Sequence, residues 1–75
     1  MHSSNVIEEN VHGVSSESII GYFNIIYSGV SIGLNTTIGN YCEIGNRTII
    51  GDNCILQSQV RTGSDVIVGN NITIK

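Results

Sequence analysis

One periodicity constrains this chain more than anything else in it. Reading every sixth residue from Ile20 gives Ile20, Ile26, Ile32, Ile38, Ile44, Ile50, Leu56, Thr62, Val68 and Ile74. Nine of these ten are aliphatic, which a chain that is 40% hydrophobic does not produce by chance. The residue that follows is Gly at 21, 33, 39, 45, 51, 63 and 69, a series interrupted by Tyr27 and Gln57. Asn40, Asn46, Asp52 and Asn70 come next in their hexads. Two residues ahead of each aliphatic stand small or medium side chains: Val30, Thr36, Cys42, Thr48, Cys54, Val60, Val66 and Ile72.

The period has a direct structural meaning. Residues two apart on a strand share a face, so Thr36 with Ile38, or Cys42 with Ile44, point inward together while Thr37 and Glu43 point out. Gly-Asn or Gly-Asp then offers a permissive backbone for a sharp corner, consistent with nine glycines and no proline. Each hexad is one short strand and one corner, the pattern of a parallel β-helix. No apolar face recurs at three and four residues, so helical periodicity fails. If three hexads close one coil, equivalent positions stack every 18 residues. The inward columns are then Ile20, Ile38, Leu56 and Ile74; Ile26, Ile44 and Thr62; and Ile32, Ile50 and Val68. The expected organisation is a cap or degenerate first coil over residues 1–17 and about three triangular coils over 18–75.

Composition narrows the function. Six acidic against three basic residues give a net charge of −3, and no basic stripe exists to neutralise a phosphate backbone, which argues against nucleic acid. No run approaches the roughly 20 apolar residues of a membrane span, and the N-terminus lacks a basic-then-apolar leader pattern. Cys42 and Cys54 do not make a disulfide framework, so the expected compartment is the reducing cytoplasm. A charged content of 12% is low for a well-solvated monomer, and a 75-residue chain has little core of its own. Both point to partner subunits. The final residue, Lys75, follows directly on an inward position, so the sequence reads as a portion of something longer or as a unit completed by neighbours.

The run Ile32-Gly33-Leu34-Asn35-Thr36-Thr37-Ile38-Gly39-Asn40-Tyr41-Cys42-Glu43-Ile44-Gly45-Asn46 resembles the hexapeptide-repeat transferases, and the likeness extends over about residues 18–75. It implies an all-β, left-handed parallel β-helix; the hand comes from the resemblance, since ordinary crossovers favour the right hand. The same coils serve acyltransferases, γ-class carbonic anhydrases and noncatalytic proteins. Gly45-Asn46-Arg47-Thr48-Ile49-Ile50-Gly51-Asp52-Asn53-Cys54-Ile55-Leu56-Gln57 is similar to a run in the N-acetyltransferases of nucleotide-linked amino sugars. That likeness implies a homotrimer with sites between subunits, acetyl-CoA as co-substrate, and a sugar or sugar-nucleotide amine or hydroxyl as acceptor. Those enzymes often continue Asn-Asn-Val, where this chain has Ser58-Gln59-Val60.

Gln57 replaces the corner glycine, Ser58 shares its corner, and Gln59 and Arg61 flank the inward Val60. These four are the candidate substrate-binding residues. His2 and His12 are the candidates for a histidine base, with His12 placed in the inward register of a weaker hexad, His12-Gly13-Val14. Cys42 and Cys54 sit two hexads apart in small interior positions, which suits packing and not metal binding, and the repeat itself holds no histidine for a carbonic-anhydrase-like zinc site. Tyr22 and Phe23 fall at a corner, where they cover an end, line an acceptor pocket or fill a subunit interface. The leading expectation is acyl transfer from acetyl-CoA, and the alternative is a noncatalytic, trimerising structural module.

Overall fold

A computed structural model describes residues 4–14 and 19–75; His2 lies outside them. The described residues form ten two-residue strands and no helix: β1 (Val6–Ile7), β2 (Ile19–Ile20), β3 (Ile25–Ile26), β4 (Ser31–Ile32), β5 (Thr37–Ile38), β6 (Glu43–Ile44), β7 (Ile49–Ile50), β8 (Ile55–Leu56), β9 (Ile67–Val68) and β10 (Thr73–Ile74). Every pairing is parallel. The strands fall into a first sheet β1-β3-β6, a second sheet β4-β7-β9, and a third sheet β2-β5-β8-β10. Consecutive strands occupy different sheets, so the chain winds as a parallel β-solenoid of about four turns.

The 18-residue register holds wherever the hexads are regular. Ile20 pairs with Ile38, Ile38 with Leu56, and Leu56 with Ile74; Ile26 pairs with Ile44, Ile32 with Ile50, and Ile50 with Val68. About four turns are present where the repeat predicts three, because β1 pairs with β3 and His12 bridges to Ser31. Both of those pairings run at 19 residues, whereas Ile19 pairs with Thr37 at 18. One extra residue therefore lies between His12 and Ile19. It takes the first turn out of phase and hides it from a strict sixfold reading.

The inward aliphatics make a continuous core in which Ile26, Ile38, Ile44, Ile50 and Leu56 are at most 2% exposed. A second, polar layer runs beside them. Five of the small inward side chains, Asn24, Thr36, Cys42, Thr48 and Cys54, each donate a hydrogen bond to a carbonyl 15 residues ahead, at the corner of the next coil; Val30 and Val60 fill the same layer without one. Asn24 Nδ2 reaches the Gly39 oxygen at 2.8 Å, Thr36 Oγ1 that of Gly51 at 2.7 Å, and Thr48 Oγ1 that of Gly63 at 3.0 Å. The thiols of Cys42 and Cys54 donate likewise to the Gln57 and Gly69 oxygens, at 3.1 and 3.0 Å. Small polar residues recur here because a corner carbonyl has no strand partner and burial would leave it unpaired.

Corner N–H groups that lack a backbone acceptor face the same problem, and several are met from outside. The side-chain oxygens of Asn40, Asp52 and Asn70 each accept from the backbone N–H stacked above them, of Tyr22, Leu34 and Asp52, all at 2.8 Å. The Asn or Asp at 40, 52 and 70 is thus a cap for the neighbouring coil, whereas Asn46 donates from Nδ2 to Ser28 Oγ at 3.1 Å. The glycine of the repeat does not set the bend. Positive φ falls two residues after the glycine position, at Phe23, Gly29, Asn35, Tyr41, Arg47, Asn53, Gln59, Asp65 and Asn71. The repeat glycines are required by close approach: an added Cβ at Gly33 or Gly51 would collide with the capping oxygen of Asp52 or Asn70, and at Gly45 with the Gly63 carbonyl. At Gly63 and Gly69, in the last coil, nothing lies within 4 Å.

Two outcomes follow. Gly51→Ala should cost about 1–3 kcal/mol through overpacking, whereas Gly69→Ala should be neutral or slightly stabilising, as chemical denaturation will show. Asn24→Val should cost about 2–4 kcal/mol, because it strands both the Gly39 carbonyl and the Cys42 N–H that Asn24 Oδ1 accepts at 2.7 Å.

Candidate functional site

The corner between the third and first sheets gathers most of the residues singled out above. It comprises residues 21–24, 39–42 and 57–60, stacked coil on coil: the Tyr41 N–H donates to the Tyr22 carbonyl at 3.0 Å, and the Gln59 N–H to the Asn40 carbonyl at 2.8 Å. Gln57, Ser58 and Gln59 are exposed here, with Val60 turned inward between Gln59 and Arg61. The Ser58 hydroxyl accepts the Asn40 N–H at 3.2 Å, so it caps a corner as Asn does elsewhere. Backbone groups of Gln57 are also engaged, its carbonyl by the Cys42 thiol and its N–H by the Ile74 carbonyl at 2.9 Å. By contrast, the carboxamides of Gln57 and Gln59 make no hydrogen bond among the described residues.

Arg61 does not join them. It sits on the outer face of the first sheet, bridged to Glu43, whose Oε2 accepts from its Nη2 at 3.0 Å. The charges that flank the corner along the chain thus neutralise one another. Arg47 is likewise held by Asp65, one coil below it, through two hydrogen bonds of 2.7 and 3.0 Å.

His12 differs from expectation. The extra residue of the first coil puts it in register with Ser31, the outward member of β4, and not with the inward Val30. It is exposed; its backbone donates to the Val30 carbonyl and accepts from the Ile32 N–H, both at 2.8 Å. It therefore lies on the second sheet, away from the corner that carries Gln57. A shallow depression lined by Glu8, Glu9, Asn10 and Ser28 lies at the corner between the first and second sheets, and Glu8 Oε1 accepts the Ser28 N–H there at 3.1 Å. No group of three or more His, Cys, Asp or Glu side chains converges as a metal site among the described residues. Both cysteines are buried free thiols.

The sequence reading missed one member of the corner. Tyr41 stacks on Phe23, their ring centroids 5.3 Å apart and their planes 14° from parallel, and Tyr22 lies tilted beside Phe23. The signal was available, since 23, 41 and 59 are spaced by one coil. What the hexad count could not give is the backbone: Phe23, Tyr41 and Gln59 all have φ near +60°. Left-handed backbone costs a residue with a Cβ roughly 1–2 kcal/mol, and asparagine or glycine tolerates it best. A stacked aromatic pair returns about 0.5–1.5 kcal/mol beyond its area, so the stack alone does not offset two strained aromatics. The rings nevertheless remain 55% and 61% exposed.

The Arg47–Asp65 pair yields a pH dependence of known sign. Hydrogen bonding from Arg47 holds the Asp65 carboxyl below the usual carboxylate range, and the same bond raises Arg47. A carboxyl lowered by folding stabilises the fold above its unfolded pKa, near 3.9, and that contribution fades as pH falls through the folded value. Wild type and Asp65→Asn should therefore differ in Tm near neutral pH and converge in acid. The difference should also shrink in about 1 M salt, because both side chains face solvent.

No protein-family description matches this chain, and no curated protein matches it significantly in sequence.

Proposed function

We propose that the chain contributes coils to an acyltransferase of the hexapeptide-repeat class, moving an acyl group, most simply acetyl, from its CoA thioester to an amine or hydroxyl of a sugar or sugar nucleotide. One observation carries the reading: a parallel solenoid with the 18-residue register is built on the Gly45–Gln57 run, which resembles that of the nucleotide-amino-sugar N-acetyltransferases. On this reading the coils wind left-handed, with triangular cross-section. Catalysis in such an enzyme is mainly positioning of amine against thioester, with polar groups stabilising the developing oxyanion. The free carboxamides of Gln57 and Gln59 are suited to orient an acceptor, and Ser58 and Arg61 border them. His12, exposed on another sheet, is a poor general base for that corner.

A homotrimer fits the distribution of surface chemistry. Ile49 and Ile67 stand out from the second sheet, Ile19 and Ile55 from the third, and Leu34 from the corner between them, while the paired charges Glu43, Arg61, Arg47 and Asp65 cluster on the first sheet and its corner with the second. Two adjoining apolar faces suit a closed ring, in which each subunit gives one face to each neighbour. The cytoplasm is the compartment in which acetyl-CoA and free thiols coexist.

A second reading, a noncatalytic trimerising module, draws on the structural tasks of the candidate residues. Ser58 caps a corner and Arg61 pairs with Glu43, so two of the four serve the solenoid itself.

Sedimentation with and without acetyl-CoA tests both. The enzyme reading expects three copies of the 8.0 kDa chain, about 24 kDa, and a Tm that rises with acetyl-CoA. A trimer indifferent to acetyl-CoA supports the structural module, and a folded monomer contradicts both.

A further inference from the structure

The three corners of the solenoid use their left-handed position differently. Between the second and third sheets it is filled by Asn35, Asn53 and Asn71, the side chain best suited to that backbone. Between the first and second sheets it holds Asn10, Gly29, Arg47 and Asp65, and the last two hydrogen-bond each other. Between the third and first sheets it holds Phe23, Tyr41 and Gln59. Two bulky rings and a long carboxamide here replace the residues that the backbone favours, and all three face solvent. Strain retained at exposed, chemically distinctive residues points to contact with something outside the chain.

The chemistry of the corner selects the partner. Phe23 covers one face of the Tyr41 ring, and the column continues with Gln59 in place of a third ring. None of the residues 22–24, 40–42 and 57–60 is charged, and the flanking Glu43 and Arg61 bond each other. An anionic ligand would find no free cation among these residues, and an apolar one would waste two unpaired carboxamides. A pyranose matches both features. Its axial C–H groups present an apolar face to an aromatic ring, while its hydroxyls both donate to and accept from carboxamides.

We propose that Phe23, Tyr41, Gln57 and Gln59 form a platform for a neutral saccharide, the Tyr41 ring lying against the C–H face of the sugar and the carboxamides binding its hydroxyls. The site rests on the acyl-transfer reading in one respect only: it would be where the acceptor's sugar ring is held.

The test is saturation-transfer NMR on the full chain with methyl β-glucopyranoside and with N-acetylglucosamine as probes. Transfer from the Tyr41 and Phe23 ring protons to sugar C–H protons is expected, retained in Tyr41→Phe and weakened about tenfold or more in Tyr41→Asn. Because asparagine suits the left-handed backbone, Tyr41→Asn should keep or raise Tm and leave the solution mass unchanged, which separates lost binding from lost folding. Absence of transfer to either sugar overturns the platform, as does a fall in solution mass in Tyr41→Asn, which would assign the rings to contact between copies. Acetyl-CoA binding measured in parallel keeps the two readings apart. Sugar transfer without acetyl-CoA binding supports the platform and counts against the transferase; acetyl-CoA binding without sugar transfer does the reverse.

Discussion

Everything in this molecule depends on one constraint: each coil must satisfy the backbone hydrogen bonds of the next. Strands of two residues have no stability of their own, and at the corners the backbone supplies one cross-coil bond, from the N–H of the left-handed residue, and leaves other groups without a backbone partner. The chain solves this with two side-chain ladders, one on each side of the wall. Outside, Asn40, Asp52, Ser58 and Asn70 accept corner N–H groups. Inside, Asn24, Thr36, Cys42, Thr48 and Cys54 donate to corner carbonyls. The aliphatic columns supply the hydrophobic driving force, the backbone bonds between coils set their spacing, and the side-chain ladders satisfy the groups that backbone pairing leaves over. Stability of this kind is a nearest-neighbour property, as in other repeat architectures.

Much of this was legible in the sequence, because a period of six is a statement about stacking. The inward columns are those the spacing dictates, and Cys42 and Cys54 occupy the buried small-residue places it assigns. The corner was misread. Glycine and asparagine suggest backbone freedom, yet Gly51 is needed because Asn70 presses against it and Asp52 is needed for its oxygen. The bend falls one residue later, on Asn53. Such a division of labour depends on which coil lies next door, information absent from any single hexad. The first coil, expected as a cap or a degenerate coil, hid its register for a related reason. One inserted residue between His12 and Ile19 breaks the count, moves His12 to an outward place and leaves the pairing of β1 with β3 invisible to a sixfold reading.

At the corner of Gln57, backbone groups and the Ser58 hydroxyl belong to the ladders, and Arg61 is held by Glu43. What remains uncommitted is the carboxamide pair of Gln57 and Gln59 and the stacked rings of Phe23 and Tyr41. The sequence reading found the former from an interrupted repeat. It passed over Tyr41 because an aromatic after Gly-Asn looks like an ordinary exposed side chain until its backbone angle and its stacking partner are known. The proposals of acyl transfer and of a saccharide platform both lean on these uncommitted groups.

The measurement that tests the account most directly is the set of backbone amide contacts seen by NMR in the 75-residue chain. Stacked coils predict strong cross-coil contacts between residues 18 apart from Ile19 to Ile74, such as Ile49 with Ile67, giving way to a separation of 19 for Val6 with Ile25 and His12 with Ser31. Antiparallel pairings, helical contacts at three and four residues, or a uniform separation of 18 through the first coil would contradict it.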